Sequence, residues 1–264
     1  MTIILNSLAV LIVSIVVSIL GNIIGIGGGI ILVPFFIYYL HLSSIIASGL
    51  SLFTIVVSTI GGTYAFIKQK TIDYKLFVVI IAFILPGIIV GSIVNKFIKT
   101  QQFASIFPLW VIIIGIFSLV SAKKNLLKFN SQSTTNIIKH NNLLRFISFL
   151  AGFVSGFFGV GIGGIMGTYL VAVEEISPRT AFSTLIMTMT ITSLIGFIIH
   201  LTNTSSYSHV WLLYAISLFI GAVSGSQIGA YISATLDLKT LRVYQGWIIL
   251  FLGFFLFLGN FIKI

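Results

Sequence analysis

The chain contains no cysteine. Disulfides, thiolate nucleophiles and cysteine-ligated metals are therefore excluded. Charge is almost as scarce: 7% of the 264 residues are charged, and only four are Asp or Glu. A soluble domain carries about 25% charged residues, and so few cannot cover a water-facing surface. The chain has no Walker A lysine, no His-Glu-x-x-His and no Gly-x-Ser-x-Gly. Gly159-Val-Gly161-Ile-Gly163-Gly164 matches a dinucleotide fingerprint by letter. No strand precedes it and no acidic residue is suitably placed after it, so the match is spurious. No catalytic pair is identifiable, and the chain is expected to be neither an enzyme nor the carrier of a cofactor or metal.

What is present is apolar. Hydrophobic residues make up 58% of the chain and the mean hydropathy is +1.20. Apolar runs long enough to cross a bilayer core of about 30 Å recur along it. The net charge of +10 comes from 14 Lys and Arg against the four acids. These cations sit in loops, as the positive-inside rule requires. They form no basic stripe with interleaved aromatics, so nucleic acid is not an expected partner. Residues 1–20 have no basic lead-in and end at Gly21-Asn22, a poor cleavage context, so they read as a membrane helix.

Apolar segments fall at 3–22, 28–40, 44–67, 75–97 and 103–121, and again at 143–158, 163–173, 178–200, 209–232 and 240–262. Between the two sets lies a polar stretch with Lys123, Lys124, Lys128 and Lys139. The expected organisation is a first membrane repeat at 1–121, a charged polar linker at 122–142 and a second repeat at 143–264. A shift of 134 positions superimposes Gly25, Gly27 and Gly29 on Gly159, Gly161 and Gly163. The same shift places Ser43 on Ser177, Ala47 on Ala181, Gly62 on Gly196, and Gly87, Gly91 and Ser92 on Gly221, Gly225 and Ser226. Internal duplication with a site at the interface of the halves is typical of secondary transporters.

Each glycine costs a helix about 1 kcal/mol relative to alanine, so the clusters at 25–29 and 159–164 predict breaks. In hydrocarbon a broken backbone is tolerable only against protein or a water-filled cavity. The fold class that follows is an all-α integral membrane protein of two tandem repeats, with broken or re-entrant Gly-rich helices and 8–10 membrane segments. Five crossings per half collect Lys68, Lys70, Lys75, the linker cations, Arg145, Arg179, Lys239 and Arg242 on one side, leaving Lys96, Lys99 and Lys263 on the other. Four crossings per half divide them less cleanly. The sharper asymmetry favours inverted halves with both termini outside. Segments 28–40 and 163–173 are short, and re-entrant arms are the alternative for them.

Helices that start after the two glycine clusters would point bare N–H groups and the positive end of the helix dipole at the breaks. Gly25, Gly27, Gly28, Gly29, Gly159, Gly161, Gly163 and Gly164 are therefore candidates to bind a small anion. Ser48 and Ser51, with Ser183 and Thr184 of the second half, supply hydroxyls near the start of a long segment; back-bonding to helix carbonyls is the alternative. Asn22 beside the first break and Gln227 in a late helix could line a pore or join two helices. Gly21/Gly25, Gly87/Gly91, Gly221/Gly225 and Gly225/Gly229 have the spacing of close helix packing. Glu174, Glu175 and Arg179 cluster between two segments and are candidates for coupling. Ionisable groups in membranes are functional suspects, but His41, Asp73, His200, His209 and Asp237 stand at segment ends and read as solvated.

Gly25-Ile-Gly27-Gly28-Gly29-Ile-Ile-Leu-Val-Pro34, followed by Ala47-Ser48-Gly49-Leu50-Ser51 and a degenerate second copy, resembles the sulfite exporter TauE/SafE family. The second motif departs from the first, with Thr168 where Pro34 stands. The resemblance covers nearly the whole chain. It implies a prokaryote-type, multi-pass plasma-membrane transporter of sulfite, sulfonates or related organosulfur anions, with the glycine motifs as the substrate region. Partners are then a small anionic substrate, the lipid bilayer and a proton or ion gradient. An anion channel and a non-transporting structural protein are the alternatives.

Overall fold

The computed structural model describes residues 2–24, 27–124, 142–204, 209–235 and 238–262. These form ten α-helices: α1 (Thr2–Ile24), α2 (Gly29–Pro34), α3 (Ser44–Lys68), α4 (Tyr74–Phe97), α5 (Thr100–Lys124), α6 (Asn142–Phe158), α7 (Gly163–Ala172), α8 (Pro178–Asn203), α9 (His209–Thr235) and α10 (Leu238–Ile262). A π-helical turn, Phe35–Tyr39, continues α2. No strand occurs among the described residues. Six of the helices are long and apolar enough to cross a bilayer. α5 runs into the stretch expected as linker, and the rest of that linker up to 141 lies outside the described residues.

Caps explain several starts. The Asp73 carboxylate accepts from the Lys75 and Leu76 amides, both at 3.0 Å, and opens α4. Ser177 accepts from the Thr180 amide at 3.3 Å and opens α8, with Pro178 at the first helical position. Such a side chain satisfies an amide that the first turn leaves bare. At about 1.5 Å per residue, α2 with its π turn and the ten-residue α7 each reach roughly 15 Å. Neither crosses alone, so of the two readings of 28–40 and 163–173 their lengths suit the re-entrant arm.

Helix pairs pack through glycine. A Cβ on Gly87 or Gly91 of α4 would strike the Phe149 or Phe153 carbonyl of α6. One on Gly152 or Gly156 would strike Ile84 or Ile88 of α4. Both sequence numbers rise together, so α4 and α6 run parallel. α1 and α9 do the same, with Ser14, Ser18 and Asn22 against Gly221, Gly225 and Gly229. By contrast α3 and α8 run antiparallel: Gly49 meets His200, Gly62 meets Ile186, and Gly196 meets Leu52. So do α5 and α10, where Gly115 meets Leu250 and Gly253 meets Ile112. Small residues let backbones approach closely where lipid gives no hydrophobic drive between helices. If α1–α5 are exchanged for α6–α10 in order, each of these four pairings becomes itself or another of the four.

Candidate functional site

α1 ends at Ile24, and Gly27 and Gly28 follow with φ of +82° and +73° before α2 starts at Gly29. A side chain at Gly28 would be strained by that φ, and its Cβ would lie 2.5 Å from Val17 Cγ1. The chain thus folds back along α1. Likewise α6 ends at Phe158, Gly159 takes φ +70° against Ser48 of α3, and α7 starts at Gly163. Gly25 lies outside the described residues.

The two turns touch. A Cβ on Gly27 would stand 3.1 Å from Gly161 Cα, 2.8 Å from Met189 Cε and 3.4 Å from Ile55 Cδ1. Ile55 and Met189 are near the middles of α3 and α8, so the contact sits at mid-length of the two central helices. A Cβ on Gly29 would lie 2.5 Å from the Gly159 carbonyl oxygen and 2.8 Å from Ser51 Oγ. The starts of α2 and α7 are therefore brought to one place, with Gly161, Gly163 and Gly164 all buried. Beside Gly28 is a cavity of about 30 Å³, lined by apolar groups of α1, α2 and α10.

The end of α6 is covered by side chains from four helices. A helix leaves its last four carbonyls without intrahelical partners. Ser155 O accepts from the Gly159 amide at 2.9 Å. His200 Nε2 of α8 lies 2.8 Å from the Gly156 carbonyl oxygen. Asn95 Nδ2 of α4 donates to the Phe157 carbonyl at 2.6 Å and to Ser48 Oγ at 3.2 Å. Ser51 Oγ of α3 donates to the Gly159 carbonyl at 2.6 Å. Phe103 and Phe107 of α5 stack around Phe157 and Phe158 with ring centroids 5.4–5.9 Å apart and close the other side. Three of the last four carbonyls of α6, those of Ser155, Gly156 and Phe157, thereby have partners within the protein.

Of the residues singled out in the sequence, Gly27, Gly28, Gly29, Ser48, Ser51, Gly159 and Gly161 come together here. Others go elsewhere. Asn22 donates to the Ser18 carbonyl of its own helix at 2.9 Å and packs beside Gly229. Ser183 donates to the Thr71 carbonyl at 2.8 Å, and Thr184 Oγ1 accepts from the Asp73 amide at 3.0 Å. Both hold the α3–α4 loop. At that same end Arg179 donates to Gln69 at 3.3 Å, Glu174 accepts from the Tyr169 hydroxyl, and Glu175 adopts φ +54°. Gln227 is exposed on α9.

Two residues change standing. Asn95 attracted no notice in the sequence, and His200 read as a solvated end group; each is 1% exposed. The signal was spacing. Asn95 continues the stripe Gly87, Gly91 at four-residue steps, and His200 ends the buried stripe Thr184, Thr188, Thr192, Gly196. Positions four apart share a helix face.

These features define a multi-pass α-helical membrane protein, and the comparisons make it a transporter. The profile of the sulfite exporter TauE/SafE family matches residues 10–256. The chain belongs to that family. It is 26% identical to the probable membrane transporter protein YunE of Bacillus subtilis, over 88% of this chain and 90% of that one. It is 28% identical to a probable membrane transporter protein of Methanocaldococcus jannaschii, over 94% of each chain. No solved structure gives a significant match. The chain is thus a transporter and not an enzyme.

Proposed function

We propose that the chain exports a small sulfur oxyanion, sulfite or an organosulfonate, which binds where the two glycine turns meet. The observation that carries this is the contact of Gly27 with Gly161 at mid-length of α3 and α8, just ahead of two helix starts. Amides at a helix start are bare donors, and each start carries about half a positive charge. Two of them face an anion without a buried Lys or Arg. The family description supports sulfite as cargo and export as direction.

In this conformation the turns touch, so the anion enters when they part. A contact made of glycines parts without moving large side chains. Antiparallel packing of α3 on α8 and of α5 on α10 supports inverted halves, since these are the helices paired by the 134-residue shift. Inverted repeats rocking about a central site give alternating access. Glu174, Glu175 and Arg179 stand at the α3–α4 loop end, where they suit a mouth better than a coupling site at mid-depth.

The test is flux into proteoliposomes. Wild-type protein is expected to move sulfite and methanesulfonate with saturation. Gly28→Leu and Gly163→Leu, folded by thermal melt, are expected to lose at least 10-fold of that flux. Unchanged flux in both variants removes the glycine site; absence of saturable flux in the wild type removes the transport of these anions.

A further inference from the structure

One titratable group is buried beside the end of α6, about 16 Å along α8 from Met189 at the contact of the glycine turns, and has no part in the anion site just described. His200 is 1% exposed and lies one turn before the end of α8. Its Nε2 faces the Gly156 carbonyl oxygen at 2.8 Å. A carbonyl can only accept, so Nε2 carries the hydrogen. Nδ1 of the neutral ring is then a bare acceptor, and it is buried without a partner. A second buried acceptor without a partner, Asn95 Oδ1, belongs to the side chain that covers the next carbonyl, Phe157. Buried polar atoms are nearly always paired, and an orphan calls for an explanation. An orphan imidazole nitrogen buried at a helix end suits a proton.

The surroundings set a condition on that proton. α8 packs on α3, α4, α6 and α7. Among the described residues the basic groups at the His200 end are Lys96, Lys99 and His41, all exposed, with Lys96 Nζ 3.4 Å from Asn203 Oδ1. α3 contributes no titratable group there, and Arg145 stands three turns back along α6. Among the described residues every carboxylate is at the other end: Asp73 beside Thr184, and Glu174 and Glu175 after α7. That end is roughly 30 Å away along α8. An imidazolium at His200 therefore has no counter-charge among the described residues. An anion can supply one, since Gly159, where α6 gives way to the glycine turn, is one helical turn from Gly156.

We propose that His200 is the proton-coupling group: Nδ1 takes one proton from water as the anion reaches the glycine turns and returns it as the anion leaves, so that one proton travels with each monovalent anion. This rests on the anion-transport reading above and adds to it the coupling ion and its carrier. A purely structural role, holding the Gly156 carbonyl, is the competing account. His200→Gln separates the two, because a glutamine amide keeps the donor and cannot titrate.

The experiment uses methanesulfonate, which is ionised at neutral pH and brings no proton itself. Proteoliposomes carry a trapped pH dye, and anion and proton are followed together. The expected wild-type result is lumenal acidification of about one proton per anion, with flux insensitive to membrane voltage. His200→Gln is expected to keep anion exchange within about threefold while acidification falls at least 10-fold. Wild-type flux without acidification, or acidification unchanged in His200→Gln, overturns the inference and leaves anion transport standing. A folded His200→Gln protein that moves neither species assigns the residue to holding α6, and also overturns it. Should the variant not fold, the wild-type ratio decides alone, and a ratio of zero is fatal. No wild-type flux of methanesulfonate or sulfite removes the parent reading and this one with it.

Discussion

Asn95 shows how much rests on single polar side chains in this interior. Its amide covers the Phe157 carbonyl at 2.6 Å and reaches Ser48 as well. Removing it leaves the carbonyl only the Ser48 hydroxyl, a longer contact at 3.5 Å. Asn95→Leu is expected to cost about 1–2 kcal/mol, read as a lower melting temperature in detergent. An unchanged melt would show that the carbonyl finds another donor. The role could not be read from position along the chain, because a residue two places from a helix end is as often wet as dry. What the sequence held was the four-residue stripe from Gly87 through Gly91 to Asn95, and the stripe shows a face without showing what the face touches. Ser51 was legible as a polar residue near the turns. Its partner, a carbonyl more than a hundred residues away, was not.

At the scale of the element, glycines do two jobs that the sequence alone separates poorly. Gly28 and Gly159 allow a left-handed backbone, and φ above zero costs other residues roughly 1–2 kcal/mol. Gly91 is helical and allows α4 to lie on α6, with no room for a Cβ beneath the Phe153 carbonyl. Gly61 has nothing within 4 Å. The contrast gives a paired prediction. Gly91→Ala is expected to destabilise by about 1–3 kcal/mol through overpacking. Gly61→Ala is expected to be neutral or to stabilise by up to about 1 kcal/mol through helix propensity. Melting curves of the two variants check this, and equal shifts would contradict it. Helix ends were legible to within a few residues because caps and loop charges mark them: Asp73, Ser177 and Pro178 stand where α4 and α8 begin. The path of α2 and α7 was less so. A short helix that is apolar on all sides carries no period, and whether it crosses or returns depends on what it packs against.

For the whole molecule, the pairing of helices by direction was not legible; the sequence offered only the expected repeat that would underlie it. The expected shift of 134 sets α3 on α8, and α5 and α10 close the two halves in the same order. Only their packing shows that each pair runs antiparallel. The proposed inversion is the central claim, because it is what brings a turn from each half to one mid-depth contact and makes both starts point there. The lack of cysteine makes it directly measurable. Lys70 follows α3 and its equivalent Thr204 follows α8, so single cysteines at these positions report the facing of the two halves in intact cells. With a membrane-impermeant thiol reagent, one position is expected to label from outside and the other only after the membrane is opened. Labelling of both from the same side would contradict the inverted arrangement, and with it the meeting of the two glycine turns from opposite faces.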